Sequence, residues 1–244
     1  IACAYEGFVW YRARQAEEAA PPAPPPVAVP SQPTEAAPEA PSHPIEQAES
    51  AVPLTPENGD AMLMAELARL TGTSGLERFL RPAGLVRHFV ATVDALPRQH
   101  VPQQIVPNTP VPGAFQVESR GGAQYIAAGN AKRYLPWVHL LVSVDPGAAA
   151  ATYKRFYPLF QQQYHALGYP KGYFNDRLIE AIDDMLESPV LDKEPKITLP
   201  SVMWHYADPD LEELSAGQKM MLRLGGTSAG AVREWLTAFR AKIA

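Results

Sequence analysis

Proline sets the first limit on what this chain can fold into. Twelve of its 26 prolines lie between residues 15 and 56, beside ten alanines and six glutamates, with no Lys, Arg or Asp. Proline locks φ and lacks an N–H donor, so a stretch this rich in it supports neither regular helix nor sheet. Large apolar residues are sparse there, and burial cannot offset the entropy of ordering. Runs such as Pro21-Pro22-Ala23-Pro24-Pro25-Pro26 favour polyproline II, a semi-rigid spacer with an upper reach on the order of 130 Å at about 3.1 Å per residue. The PxxP-like spacing is also that of an SH3-type ligand, but no basic flank accompanies it. Residues 15–56 are therefore expected to be a disordered Pro/Ala/Glu linker, with the globular domain at 57–244.

Residues 1–14 differ from both. They carry Tyr5, Phe8, Trp10 and Tyr11, followed by Arg12 and Arg14. That is the order in which a membrane span meets its interface: aromatic belt, then cations among head groups. The segment is too short to span a bilayer, which needs roughly 20 apolar residues. It reads as the end of a membrane anchor. Cys3 also allows a lipoprotein remnant, and an unrelated leader is the bland alternative.

The formal charge of −5 comes almost entirely from the linker. The remaining domain is formally neutral and lacks a Lys/Arg run, so it has no electrostatic footprint of a nucleic-acid binder. Cys3 is the only cysteine, which excludes a disulfide framework and any Cys-based zinc site.

Within the domain, helices are expected at Met62–Leu70, Leu76–Leu80, Leu85–Leu96, Lys132–Val144, Pro146–Leu167, Tyr173–Leu186, Asp208–Leu224 and from Thr227 or Ser228 to Ile243. Five prolines between Pro97 and Gly113 predict an extended arm. Residues 115–127, turning at Gly121-Gly122, read as a hairpin. Ile197–Tyr206 is a further extended segment. The fold class is mostly α (α+β): one helical domain with a small β-hairpin. Ten of the 22 aromatic residues fall between Tyr134 and Phe174. The spacing of Tyr153, Phe156, Tyr157, Phe160 and Tyr164 places most of them in the core.

Motifs for catalysis are weak. Gly226-Thr227-Ser228-Ala229-Gly230 matches the hydrolase elbow G-x-S-x-G, but no Asp or His follows it. No pair of the six histidines has the i, i+4 spacing of a metal-binding helix. No cofactor is implied. The carboxylates Asp176, Glu180, Asp183, Asp184 and Glu187 share one helix. Paired carboxylates serve glycoside hydrolysis, while on one open face they are a solvated surface. The turn between Tyr169 and Tyr173, with Asn175 or Asp176 as a helix cap and Arg177 as a planar fork for carboxylate or carbonyl groups, is the richest candidate for contacting a peptide or glycan. Arg133 and Tyr134 are possible neighbours.

Five blocks carry a resemblance: Arg87–Arg98, Asn130–Tyr134, Tyr157–Gln161, Gly168–Arg177, and Ala207–Pro209 with Leu214–Lys219. Together they resemble a bacterial domain family of unknown function. The resemblance implies an N-terminal membrane anchor and a Pro/Ala-rich linker before a helical domain, and it implies no catalytic residue. The expectation is a non-catalytic binding or scaffolding domain held off the cytoplasmic membrane, on its outer side, contacting an envelope protein or a peptidoglycan component. The alternatives are an envelope glycan-acting enzyme using carboxylates near Asp176 and Glu180, and a structural oligomerisation domain. The candidate contacts are Arg133, Tyr134, Tyr169, Tyr173, Asn175, Asp176 and Arg177.

Overall fold

The computed structural model describes residues 40–46, 53–200 and 202–244. The expected anchor at 1–14 and most of the expected linker lie outside the described residues. Among those described, no helix is long and apolar enough to cross a membrane.

Among the described residues, eight α-helices and four short strands follow one another. Helix α1 (Pro56–Thr71) opens with Asn58 Oδ1 accepting from the Thr55 N–H at 2.8 Å. Helix α2 (Leu85–Ala95) buries Leu85, Val86, Val90 and Val93. Its first turn is held from α1, where the Asp60 carboxylate accepts from the Gly84 and Val86 N–H groups at 2.6 and 2.9 Å. Orphan donors at a helix start are thus satisfied by a side chain from a different helix. The arm from Pro97 to Gly113 follows, with one 3-10 turn at Gln103–Ile105. It is pinned by Arg81 N–H to Pro107 C=O and Thr109 N–H to Phe79 C=O, at 2.8 and 2.9 Å.

Strands β1 (Val117–Arg120) and β2 (Ala123–Ile126) form the expected hairpin. Gly121 and Gly122 both have positive φ, 57° and 78°, the geometry of a tight two-residue hairpin loop. The later extended segment supplies two strands: β3 (Lys196–Thr198) and β4 (His205–Tyr206). The sheet is antiparallel in the order β1-β2-β3-β4, with Gln124 opposite Ile197 and Ile197 opposite Tyr206.

Helices α3 (Gly129–Val142) and α4 (Pro146–Ala166) are joined by Asp145, whose carboxylate caps α4 by accepting from the Ala148 N–H at 2.8 Å. α5 spans Phe174–Leu186 and α8 spans Gly226–Ile243. α4 is the centre of the core, packed on α8, α2, α1 and α5. Tyr153, Phe156, Tyr157, Leu159, Phe160 and Tyr164 are buried on it. Tyr153 and Phe160 stack at 5.6 Å, and Phe160 meets Phe89 and Phe174 at 5.1 and 5.9 Å. Burying such a ring contributes on the order of 2 kcal/mol, with some extra from the ring pairs.

Several helix boundaries differ from expectation: the segment at Leu76–Leu80 forms only a 3-10 turn, Leu76–Arg78, and α1 and α3 begin earlier than expected, at Pro56 and Gly129. The segment read as one helix from Asp208 is two, α6 (Pro209–Glu212) and α7 (Ala216–Leu224). Ser215 restarts the chain with a capping box: its hydroxyl accepts from the Gln218 N–H while Gln218 Oε1 accepts from the Ser215 N–H. The final helix is not capped by Thr227 or Ser228. It begins at Gly226 behind Gly225, whose φ of 76° suits glycine and few other residues.

Candidate functional site

The seven candidate residues do not form one surface. The structure distributes them over three places.

Arg133 and Tyr134 lie on α3, beside the arm and the hairpin. The Arg133 guanidinium donates to the carbonyls of Pro112 and Gly113 at 3.1 and 2.7 Å. Asn130, only 3% exposed, pairs with both the N–H and the C=O of Gln116. The Arg133 bonds satisfy carbonyls at the end of the proline-rich arm, and Asn130 fixes the residue just before β1. Tyr134 packs against the core.

Tyr169 and Arg177 converge on a residue the sequence did not single out, Asp94. It sits in the last turn of α2 and is 8% exposed. Arg177 Nε lies 3.2 Å from Asp94 Oδ1, and the same guanidinium donates to the Asp94 carbonyl. Arg98, four residues on from Asp94, pairs with Oδ2. The Tyr169 hydroxyl accepts from Arg98 at 2.8 Å and donates to Asp94 Oδ2 at 3.4 Å. Its ring stacks on Tyr164 at 4.7 Å. The hydrogen bond that Arg98 donates to Tyr169, then the charge of Asp94, raises the Arg98 pKa. A carboxylate this enclosed requires compensation, and two guanidinium groups supply it. The Asp94/Arg98 spacing of i, i+4 was visible in the sequence, whereas the Arg177 contact spans 83 positions.

Asn175 and Asp176 form the third place, at the start of α5. Neither caps the helix. Tyr173, half-buried, is the N-cap residue and makes no side-chain cap. The donor of Phe174 is taken by Gln161 from α4, whose Oε1 accepts it at 2.8 Å while its amide donates to Gly172 C=O at 2.7 Å. This leaves Asn175 and Asp176 available for other partners. Asn175 is fully buried: Oδ1 accepts from the Tyr153 hydroxyl at 3.1 Å, and Nδ2 donates to the carbonyls of Ile243 and His43 at 2.8 and 2.9 Å. Burial, with the nearby Tyr157 and Asp176, pushes the Tyr153 hydroxyl well above the usual tyrosine range and so keeps it a donor. The Asp176 carboxylate takes two consecutive amides, Ser42 N–H at 3.0 Å and His43 N–H at 2.8 Å. Residues 40–46 belong to the segment expected to be an unstructured linker. Here they lie on the domain, and Ile45 packs against its core.

The other α5 carboxylates face different neighbours. Glu180 pairs with Arg177 at 2.7 Å and is 60% exposed. Asp183 pairs with Arg240 of α8. Asp184 accepts from the Ser215 hydroxyl at 2.6 Å, and burial raises its pKa despite that bond. Ser228 is buried inside α8 and is preceded by α7 and Gly225 rather than by a strand, so the nucleophile-elbow geometry is missing. A cleft of about 510 Å3 lies between the 188–195 loop, the start of α3, and α7 and α8. None of the seven candidate residues lines it.

The family description that fits this chain is "Protein of unknown function (DUF3014)", matched over residues 85–240. The chain belongs to the DUF3014 family. The match includes both the Asp94 cluster and the Asn175–Asp176 pair and ends just before Ile243. No curated protein and no solved structure matches the chain.

Proposed function

We propose that this DUF3014 domain is a non-catalytic binding module of a membrane-anchored cell-envelope protein, set outside the cytoplasmic membrane by the Pro/Ala-rich segment. The partner is an envelope protein or a peptidoglycan component. The observation that carries this reading is the division of labour among the α5 carboxylates. Asp176 receives backbone amides, Glu180 an arginine of its own helix, Asp183 an arginine of α8 and Asp184 a helix-capping serine. Glycoside hydrolysis needs two carboxyl groups facing each other across a sugar-sized gap, and these point at four different partners. The anchor rests on the interfacial pattern of residues 1–14.

Co-sedimentation of the full chain with purified peptidoglycan and with envelope membranes tests the reading. The expected result is retention on one of them without release of soluble saccharide. Saccharide release that disappears in Glu180→Gln would overturn it in favour of an enzyme, and retention on neither would count against any envelope partner. An oligomerisation role draws on a different feature, the exposed Leu199, Val202 and Met203 around the β3–β4 connection. Light scattering of wild type against Val202→Asp decides it: a dimer lost in the variant favours that role.

A further inference from the structure

We infer that the start of α5 is a binding site for a bent polypeptide segment, and that Pro41–Glu46 is its resident ligand in cis. The inference rests on the binding reading above and names its partner class. Four observations converge on it. The two oxygens of Asp176 accept two consecutive main-chain amides, those of Ser42 and His43. Asn175 Nδ2 donates to the next main-chain acceptor, the carbonyl of His43. Exposure alternates along the segment: Pro41, His43 and Ile45 are half-buried, while Ser42, Pro44 and Glu46 are exposed. The chain bends at Ser42 and His43, which turns their two consecutive amides toward one carboxylate. Ile45 then anchors the segment against the core.

The receptor side is pre-organised. Asn175 is held in place by Tyr153 and the Ile243 carbonyl, and Gln161 relieves it of capping duty. A buried, pre-positioned Asn175 beside the half-buried Asp176 binds a main chain at little ordering cost of its own. The contacts read main chain plus one apolar side chain. The ligand class follows: a segment bent so that two consecutive amides face one carboxylate, with a carbonyl before proline and an aliphatic residue after that proline. A partner polypeptide with this chemistry competes with residues 41–46. Because the resident segment is tethered, its effective concentration is high and it masks the site.

The test is fluorescence anisotropy with a labelled synthetic peptide of residues 39–47 added to the full chain. Wild type binds it weakly. Ile45→Asp, which removes the apolar anchor of the resident segment, binds it at least about tenfold more tightly. That is the factor expected once one charge-assisted hydrogen bond or an equivalent anchor no longer holds the competitor. Ser42→Pro removes one amide at an exposed position and opens the site without touching the core, so it stands in should Ile45→Asp lose helical circular dichroism. Adding Asp176→Ala to either opened chain abolishes the gain. Opened chains with wild-type circular dichroism that bind no better than wild type would overturn the inference, as would a gain that survives Asp176→Ala. A chain that fails here yet still sediments with envelope material sinks the peptide site alone and leaves the broader binding role standing.

Discussion

Replacing Asn175 with alanine removes three hydrogen bonds from one fully buried side chain. The Tyr153 hydroxyl loses its acceptor, and Tyr153 itself is only 5% exposed. The Ile243 carbonyl loses a donor in a buried setting. The His43 carbonyl is only partly buried, so water replaces the amide there. A buried polar group left without a partner costs about 1–3 kcal/mol. Two such groups place the loss at about 2–6 kcal/mol, well above the roughly 1 kcal/mol of an ordinary substitution. Urea unfolding followed by circular dichroism measures it as a lower midpoint at unchanged slope. Tyr153→Phe isolates one arm, since it removes the hydroxyl and leaves the Asn175 amide in place. The double variant should be milder than the sum of the two singles, because removing both partners leaves no orphan between them. An Asn175→Ala loss below about 1 kcal/mol, or strict additivity with Tyr153→Phe, would refute the reasoning.

Arg177→Ala leaves Asp94 buried with a single guanidinium and should cost about 3 kcal/mol or more in urea unfolding. Arg177→Lys should recover little of it, since one ammonium cannot span both the Asp94 carboxylate and its carbonyl. Glu66 has a lowered pKa, first through its hydrogen bond from Arg69 and also through Arg155 and Thr152, against the opposing effect of burial. Its folded value lies below its unfolded one, so its stabilisation is present above the ordinary Glu range and is lost as pH falls through the folded value. The stability gap between wild type and Glu66→Gln should therefore close in acid, and a gap that widens would contradict this. A Cβ at Gly217 would lie 2.8 Å from Met185 Cγ and 3.4 Å from the Leu96 carbonyl, so Gly217→Ala should destabilise by about 1–3 kcal/mol. Nothing lies within 4 Å of a Cβ at Gly230, so Gly230→Ala in α8 should raise the melting temperature, a gain of about 0.5–1 kcal/mol.

The mostly helical fold was legible because α2, α4 and α5 carry strong apolar periodicity, and because Gly121-Gly122 and the prolines of the arm mark where regular structure turns or stops. The split between α6 and α7 was written in Ser215 and Gln218, a capping box three residues apart, but it was overridden by the apolar spacing on either side. Local pattern could not show the Asp94 cluster, since Arg177 and Tyr169 reach it across more than 70 positions. It could not show the role of Gln161 either, which replaces the cap that Asn175 or Asp176 was expected to provide. Composition gave the wrong scale for residues 41–46. Averaged over a proline-rich stretch, one isoleucine carries no weight. Set against a buried asparagine and a carboxylate with two open acceptor sites, that isoleucine and two amides are enough to place the segment.

Amide hydrogen exchange at Ser42 and His43 in the full chain is the most direct measurement of whether the start of α5 holds this polypeptide segment. Both amides should exchange far more slowly than in a free peptide of the same sequence. Both should lose that protection in Asp176→Ala while amides of α4 keep theirs. Exchange at free-peptide rates in the wild-type chain would contradict the assignment.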